Sequence, residues 1–562
     1  MRYWLRNPLT WILVAAAGLR LSGLFWGLPA SDGWDDDGFV PRNFLTALAL
    51  TYKPDSYFTY PPLHAFVLAV LTLPGVIVAL LQTPSFQQAD VIGEFTKPGY
   101  MTFFMVTGRL VNLLMSLGII WCVGQMARLL AGARAGLLAA AACALNFGLI
   151  YYGQVGNLDV PYLFWSLLAL LWAMRAVIQQ QPRYFWWMSL CAAAAVATKD
   201  QAYALFLLSL PVFLLVWFAT QSWPRENLRG VVTRLIPAAL VALGLLLLVD
   251  GAITNPGGFA RRLAFLTGPA SQDYAEYVRG PSGWLALTRD MMAAFNKGYG
   301  LVAVTLAMLG LAAHLARSYG GLRVAGLLPV LAILSFTVCF NFAALRSDAR
   351  FLLPQAVLAC VYIGVAADIL VFAAQPWMRL LARGALAVTA LFALHQAVAI
   401  NAAFLLDPRY DAEGWMASHV RPGDSIETYG QNAYLPRFPK GARVSRIGDR
   451  PVKLRNPLPG VWERQEAFDA IGSRGPRFIV VSDWWAQHYR IAQETLPPGR
   501  VYSRNQQLQF ADGSARRYFA ALYDGRLGYR QVHTAAPTSR FWPRVHIHES
   551  LNETIHIFER AP

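Results

Sequence analysis

Long apolar runs separated by short polar connections fill the chain up to about residue 405. A helix needs about 20 mostly apolar residues to cross a bilayer. The runs that approach this length lie at residues 9–29, 102–124, 136–152, 160–178, 185–198, 201–219, 235–250, 299–317, 324–342, 351–372 and 384–402. The pattern therefore predicts a polytopic α-helical membrane protein with about 11 transmembrane helices.

Basic residues in the connections predict how these helices are oriented. Arg2 and Arg6 precede the first run and indicate a cytoplasmic N-terminus, because Lys and Arg are enriched in cytoplasmic loops. Later basic connections alternate with connections that are poor in Arg. The basic ones carry Arg128 and Arg134, Arg183, Arg225, Arg229 and Arg234, Arg317 and Arg323, and Arg379 and Arg383. Counting the crossings from the N-terminus puts the C-terminus outside.

The apolar segment 62–82 does not fit this alternation. If it crossed the membrane, Arg128 and Arg134 would lie outside and every later basic connection would be inverted. Pro61 and Pro62 introduce the segment, and Pro74 interrupts it. We therefore expect a juxtamembrane or re-entrant helix at these positions.

From about Asp407 onward the composition changes, because charged residues, Gly and Pro become frequent and no apolar run is long enough to span. Alternating apolar positions predict strands at Ser425–Tyr429, Phe478–Ser482 and Ile555–Phe558. A tail of this length can bury a core of its own. We therefore expect a membrane domain at residues 1–405 and a soluble extracytoplasmic α/β domain at residues 406–562.

Composition supports the membrane assignment and removes other classes of protein. The 562-residue chain is 56% hydrophobic and 14% charged, whereas soluble domains carry about 25% charged residues. The net charge of +16 reflects Arg in short connections, so nucleic-acid binding is not expected. All five cysteines lie in apolar runs, so neither a disulfide framework nor a zinc site is expected. The exported tail and the abundant Arg fit a plasma (inner) membrane of a prokaryote.

Three adjacent carboxylates, Asp35, Asp36 and Asp37, follow the first apolar run and are flanked by Trp34 and Phe39. Acidic side chains at a bilayer are costly and usually functional, and aromatic residues anchor at the membrane interface. Such carboxylates could act as a general base towards a hydroxyl or hold a divalent cation. A solvated acidic loop or a helix N-cap is an equal alternative.

Two further motifs face the same side of the membrane in this topology. Tyr60 and His64 flank a Pro-Pro-Leu element, which is typical of a helix start. His64 is a candidate acid or base, although an interfacial His is commonly structural. Asp159 opens a later span and is followed by Val160-Pro161. It could orient the acidic loop or help bind an acceptor, and it also suits a helix N-cap.

Three cations, Lys199, Arg346 and Arg350, lie at outer helix ends, with Asp348 between the two arginines. They could hold a lipid phosphate, and Arg could do so bidentately. Snorkelling of long basic side chains is the alternative. Outward positive charge runs against the topological trend, which favours the phosphate-binding interpretation.

Together, carboxylates, cations and an apolar scaffold on one face suit a sugar carried on a polyprenyl phosphate. The phosphate would leave with stabilisation from Lys or Arg, while a carboxylate deprotonates an acceptor hydroxyl. One alternative is a transporter or flippase of lipid-linked substrates. Such proteins place charges near the membrane midplane, and the apolar runs contain no rows of charge. The other alternative is a non-catalytic sugar- or lipid-binding adaptor.

In these motifs the chain resembles the GT-C membrane glycosyltransferases, and within them the glycosyltransferase 39-like branch of protein O-mannosyltransferases and the lipid A aminoarabinose transferase. The elements that carry the resemblance, in order, are Asp36-Asp37-Gly38-Phe39, Tyr60-Pro61-Pro62-Leu63, Asp159, Thr198-Lys199 and Arg350-Phe351-Leu352-Leu353-Pro354. They span the membrane domain. The resemblance implies a GT-C fold with additional juxtamembrane helices.

The resemblance also implies roles. Asp36 would be the catalytic base with support from Asp37 and Asp159, and the cations named above would hold the donor phosphate. The reaction would invert the anomeric centre, and the acceptor hydroxyl would lie on a protein, a lipid or a glycan. The chain departs from the family pattern at two places. Thr59-Tyr60 stands where relatives of the aminoarabinose type have a metal-binding carboxylate. Asp37 replaces Glu, so its carboxylate extends less far from the backbone. No residue is therefore assigned as a metal ligand, although Asp35 offers an extra carboxylate.

Overall fold

The computed structural model describes residues 7–35, 39, 41–220, 225–268, 272–371, 375–448, 458, 460–490, 495–504, 506–507, 513–537, 547–548 and 550–562. Helices account for almost all of the structure up to His419. They are Pro8–Gly18, Pro41–Tyr52, Leu63–Gln82, Gln88–Phe95, Pro98–Ala131, Ala133–Ala144, Phe147–Tyr152, Asp159–Gln179, Tyr184–Val196, Tyr203–Phe206, Ser209–Thr220, Arg225–Val249, Pro256–Thr267, Pro281–Tyr299, Leu301–Arg317, Gly320–Ala325, Leu328–Phe336, Leu353–Val371, Pro376–Leu405 and Pro408–His419. Many begin with Pro, which lacks the N–H that the first turn leaves unpaired.

Within the described ranges, 8 helical runs are long and apolar enough to cross a membrane, or up to 9 if one bent pair counts as a single span. The 8 runs are Leu63–Gln82, Pro98–Ala131, Asp159–Gln179, Asp200–Thr220, Arg229–Val249, Gly320–Phe342, Ala349–Val371 and Pro376–His419. The bent pair is Pro281–Tyr299 with Leu301–Arg317. Three other expected spans correspond to shorter apolar helices, Pro8–Gly18, Ala133–Ala144 and Tyr184–Val196. The prediction of a multi-pass helical membrane protein is confirmed.

The segment 62–82 forms one continuous helix, Leu63–Gln82, with Pro74 inside it. Its length and composition would allow it to cross a membrane. The expectation that it lies along the membrane or re-enters it rests on the positions of the basic connections alone. It stays a prediction.

Glycine lets the helices of the membrane domain approach closely. A Cβ at Gly310 would lie 1.9 Å from the carbonyl oxygen of Tyr362, and one at Gly364 would lie 2.5 Å from that of Ala135. Small residues permit such backbone contacts between membrane helices. The helices Leu301–Arg317, Ala133–Ala144 and Leu353–Val371 therefore meet along glycine faces.

The C-terminal region folds around a six-stranded sheet. Its strands are β1 (Ser425–Tyr429), β2 (Arg443–Gly448), β3 (Val461–Gln465), β4 (Phe478–Ser482), β5 (Tyr529–Ala535) and β6 (Ile555–Arg560), in the spatial order β3-β2-β1-β4-β6-β5. The first four strands are parallel, and β6 runs antiparallel to both β4 and β5. Short helices at Ile471–Arg474, Asp483–Arg490 and Gly513–Tyr523 complete the domain.

Every residue of β4 is buried, as expected for a strand covered on both faces. Apolar clusters lie on both sides of the sheet. The three strands predicted from alternation are present, and β6 continues two residues beyond its predicted end. The prediction of a C-terminal α/β domain is confirmed.

A buried arginine joins the two parts of the chain. Arg409 pairs with Asp407 at 2.7 Å and donates to the carbonyl oxygens of Ala433 and Ser550 in the C-terminal domain. Its guanidinium lies 4.0 Å above the ring of Trp34, which directly precedes Asp35 in the acidic loop. Trp34 in turn donates from its indole N–H to the carbonyl oxygen of Leu435 at 2.8 Å. The C-terminal domain therefore contacts the acidic loop directly.

Candidate active site

The acidic loop is anchored inside the protein by Arg109. The guanidinium of Arg109 is 1% exposed and lies 2.7 Å from Asp35 Oδ2. It also donates to the carbonyl oxygens of Gly23, Leu24 and Trp26. A buried charge needs such a full set of partners. Asp35 is therefore a fixed structural carboxylate at the start of the acidic loop.

Gly156 makes hydrogen bonds to Asp35 and Phe39, which lie on either side of Asp36 and Asp37 in the sequence. Its N–H donates to Asp35 Oδ1 at 3.4 Å, and its carbonyl oxygen accepts the N–H of Phe39 at 2.5 Å. The buried amide of Asn112 fixes the adjacent turn by donating to the carbonyl oxygens of Val155 and Asn157. Asp36 and Asp37, predicted as the base and its support, lie outside the described residues.

Asp159 forms a buried ion pair three residues after Gly156. Its Oδ1 lies 2.7 Å from Lys199 Nζ and accepts a hydrogen bond from Gln201 at 3.2 Å. Asp159 is the first residue of its helix rather than the N-cap, which is Leu158, and the side chain of Asn157 accepts the Asp159 N–H. The structure thus brings together two predicted site residues, Asp159 and Lys199, that are far apart in sequence.

The next residue, Asp200, belongs to a second charge cluster that sequence reasoning missed. Arg262, which is buried, lies 2.5 Å from Asp200 Oδ1 and 3.0 Å from Asp250 Oδ2. Burial alone would lower the pKa of Arg262, but the charges of both carboxylates outweigh it and raise that pKa. Burial raises the pKa of Asp250 to about 6 against the opposing effect of Arg262. The available sequence signal was an Arg between two predicted spans, on the side of the membrane where the predicted topology has few Arg residues.

The remaining cations lie in one tight turn, residues 345–350, which we call the cation turn. Arg346 lies 3.1 Å from Asp348 and Arg350 lies 3.9 Å from it. Both guanidinium groups lie 4.8 Å from the ring centroid of Phe351. The buried Nε of Arg346 has no hydrogen-bond partner among the described residues. That N–H could donate to an anionic ligand.

The backbone of the cation turn is set by Asn341 and Leu345. The side-chain amide of Asn341 donates to the carbonyl oxygens of Arg346 at 3.2 Å and Phe351 at 3.3 Å. Asn341 itself lies in a π-helical turn, Thr337–Phe342, and such turns are frequent at functional sites. Leu345 adopts a left-handed backbone with φ of 54°, which costs energy for a non-glycine residue.

The carboxylate cluster and the cation turn belong to one region. The charges of Asp159, Arg350 and Asp348 all act on the buried hydroxyl of Tyr152. Both groups of charged residues therefore lie close to this single side chain. The acidic loop is linked to the same region through Gly156.

Tyr60 and His64 pack against the far end of the acidic loop. Their rings lie 6.3 Å and 6.2 Å from the ring of Phe39. The N–H of Leu63 donates to the carbonyl oxygen of Ala197, beside Lys199. His64 is buried, and its Nδ1 has no hydrogen-bond partner within the described region. The Pro-Pro element thus connects the acidic loop with the Lys-containing turn.

Within the described part of the chain, no group of three His, Cys, Asp or Glu side chains is arranged to hold a metal ion. Asp35 is occupied by Arg109. Asp36 and Asp37 lie outside that part.

Comparison with known proteins supports the predicted resemblance. Residues 102–249, which include Arg109, Asp159 and Lys199, match the family described as dolichyl-phosphate-mannose-protein mannosyltransferase. The comparison with curated proteins gives no match.

Similar solved structures share little sequence with this chain. ArnT from Cupriavidus metallidurans bound to undecaprenyl phosphate is 16% identical over 87% of this chain and 96% of its own, with a TM-score of 0.46. The Archaeoglobus fulgidus oligosaccharyltransferase in complex with Zn and sulfate is 12% identical over 98% and 88%, with a TM-score of 0.43. The family match over residues 102–249 includes two of the residues on which the resemblance rests, Asp159 and Lys199, and it confirms the resemblance of this chain to the GT-C membrane glycosyltransferases.

Proposed function

We propose that the protein is an integral-membrane inverting glycosyltransferase. It transfers a sugar from a polyprenyl phosphate to an acceptor hydroxyl on the extracytoplasmic face. The observation that carries the proposal is the convergence near Tyr152 of the Asp159–Lys199 pair and the cation turn, while Gly156 anchors the acidic loop beside Asp159. The matched family, described as acting with dolichyl-phosphate mannose, supports a polyprenyl-phosphate donor.

The reaction is a direct displacement at the anomeric carbon. Asp36 takes the proton of the acceptor hydroxyl, and the hydroxyl oxygen forms a bond to the anomeric carbon. The bond between that carbon and the phosphate oxygen breaks, so the polyprenyl phosphate leaves with the electron pair. Arg346 and Arg350 stabilise the negative charge that develops on the phosphate.

The contacts of the carboxylates indicate a different role for each of them. Asp35 is held by Arg109 and cannot act as a free base, which leaves Asp36 as the base and Asp37 as its support. Asp159 is paired with Lys199, so it fixes the ammonium group on the side of the site that faces the acidic loop. Lys199 then reaches the donor phosphate or orients Asp159 towards the acceptor.

The first test compares wild-type protein with Asp36→Asn by mass spectrometry of co-purified lipids and by a transfer assay. We expect the variant to fold, to lose transfer by about 100-fold or more, and to retain a glycosylated polyprenyl phosphate. Asp524→Asn, an exposed change in the C-terminal domain, is the matched control and should transfer normally. An unchanged transfer rate in Asp36→Asn would show that Asp36 is not the base. Flux of lipid-linked sugar across liposomes without transfer would favour a transporter.

The basic connections also bear on the membrane in which the protein lies and on its orientation there. The protein is a multi-pass membrane protein, and we propose the plasma (inner) membrane with a cytoplasmic N-terminus and an extracytoplasmic C-terminal domain. The basic connections support this orientation. The acceptor is a protein or a glycolipid hydroxyl.

A further inference from the structure

A segment of the C-terminal domain is attached to an outer loop of the membrane domain. We call residues 499–504 the outer strap and residues 272–280 the strapped loop. The N–H of Val278 donates to the carbonyl oxygen of Gly499 at 2.9 Å, and the N–H of Val501 donates to that of Glu276 at 2.9 Å. Tyr277 and Arg500 form an antiparallel bridge. The two segments thus pair like short β-strands.

The strapped loop lies directly against the cation turn. The N–H of Glu276 donates to the carbonyl oxygen of Leu345 at 3.1 Å. The ring of Tyr274 lies 5.3 Å from the guanidinium of Arg346. The strapped loop is therefore held between the outer strap on one side and the proposed phosphate-binding residues on the other.

A series of side-chain hydrogen bonds connects the outer strap, the strapped loop and the cation turn. Arg500 donates to Asp290 Oδ2 at 2.8 Å, and the hydroxyl of Tyr277 donates to the same oxygen at 3.1 Å. Because that hydroxyl has one proton, it accepts the proton of Ser347 Oγ, which lies 2.8 Å away. Ser347 is the neighbour of Arg346. Tyr277 is almost completely buried, so its two hydrogen bonds are shielded from competing water, whereas the pair between Arg500 and Asp290 is more exposed.

From this geometry we propose that Tyr277 and Arg500 are positioning residues for the donor phosphate. They act through Asp290 and Ser347 to fix the cation turn, so that the C-terminal domain contributes to donor binding without touching the donor. This rests on the proposed function, in which Arg346 and Arg350 hold the phosphate. The strained backbone of Leu345 is consistent with a turn that needs outside support.

The test measures the affinity of the full-length protein in nanodiscs for undecaprenyl phosphate, together with the KM for donor and kcat. Tyr277→Phe removes one hydroxyl and keeps the ring, and Arg500→Gln removes the charge at the other end of the series. We expect each to bind the lipid phosphate about fivefold more weakly, since a lost hydrogen bond contributes about 1 kcal/mol. The donor KM should rise while kcat stays near the wild-type value. The double variant should be about as weak as either single variant, because both act on one series of contacts.

Arg504→Gln is the matched control. Arg504 lies in the same strap and pairs with Asp273 at 3.2 Å, but its side chain is 68% exposed and does not reach the cation turn. It should bind undecaprenyl phosphate like the wild type. Ser347→Ala breaks the same series from the membrane side and should reproduce Tyr277→Phe, which keeps the test valid if one variant fails to fold.

Arg346→Gln distinguishes a failure of the positioning role from a failure of the phosphate-binding role of the cation turn. If it weakens binding while Tyr277→Phe, Arg500→Gln and Ser347→Ala all bind within twofold of the wild type, the positioning role is wrong and the proposed function stands. If Arg346→Gln also leaves binding unchanged, the phosphate-binding role of the cation turn is wrong, and the positioning role is wrong with it.

Discussion

At the scale of single residues, Glu553 in the C-terminal domain is a buried carboxyl group that is hydrogen-bonded by uncharged donors. Its Oε1 accepts the hydroxyl of Ser482 at 2.6 Å and the N–H of Trp484 at 2.9 Å, at the end of β4. Burial raises the pKa of Glu553 to about 7, although both hydrogen bonds oppose that change. The protonated form is therefore preferred in the folded domain.

This preference predicts that the C-terminal domain loses stability as the pH rises. An unfolded Glu releases its proton near pH 4.3, so between that value and about 7 the folded state binds more protons than the unfolded state. The free energy of unfolding then falls by ~3 kcal/mol in total across this window and is constant above it. Hydrogen exchange of β4 and β6 in the full-length protein, corrected for intrinsic rates, should show more protection at pH 5 than at pH 8. Glu553→Gln should remove most of this difference, and an equally steep dependence in that variant would exclude Glu553 as its source.

At the scale of helices, close packing depends on individual glycines that have no local sequence signal. Gly364 faces the helix Ala133–Ala144, whereas Gly384, in the helix Pro376–Leu405, has open space where a Cβ would lie. Both positions lie in long apolar helices. Composition therefore treats them alike, and only packing distinguishes them.

The pair provides a matched test of helix packing. Gly364→Val places branched carbons where a backbone oxygen and the Cβ of Ala139 already lie, so the helices must separate. We expect it to lower the Tm in detergent by a clear margin, since overpacking costs about 1–3 kcal/mol. Gly384→Val should melt close to the wild type. Equal Tm values for both variants would mean that these helices do not pack as described.

At the scale of the whole molecule, the two domains share a buried junction. Arg409 contacts Trp34 of the acidic loop, Asp407 at the end of the membrane domain, and two carbonyl oxygens of the C-terminal domain. The indole N–H of Trp26 also binds Asp407, at 3.0 Å. The junction and the outer strap hold the C-terminal domain at two separate places.

Breaking the junction should loosen both domains together. Arg409→Gln leaves Asp407 as a buried charge without its cation, and such a loss costs about 3–5 kcal/mol. We expect faster hydrogen exchange both in residues 23–35 and around Ala433. Arg526→Gln is the control, because its pair with Asp524 is exposed and should contribute about 1 kcal/mol or less. Faster exchange confined to one side would argue against a shared junction.

The sequence predicts those features of the molecule that are set by residues close together along the chain. Apolar runs predict the spanning helices because a bilayer imposes a length, and alternation predicts β1 and β4 because a strand presents opposite faces. Motif order placed Asp159 and Lys199 in one site, and the structure shows that they form an ion pair, while their roles stay a prediction. The partners of Arg109 and Arg262 were not predictable, because Asp35 lies 74 residues from Arg109 and Asp200 lies 62 residues from Arg262 along the chain. No local pattern records such pairs.

The contacts of Arg109 also bear on how the chain is made. The carbonyl groups of Gly23, Leu24 and Trp26 are synthesised 83 to 86 residues before Arg109, which lies within the long apolar helix Pro98–Ala131. An Arg in the centre of an inserting helix costs about 2.5–3.5 kcal/mol. In the folded protein the three carbonyl groups and Asp35 supply acceptors to that guanidinium. We therefore expect residues 23–35 to lower the cost of inserting the long helix that carries Arg109.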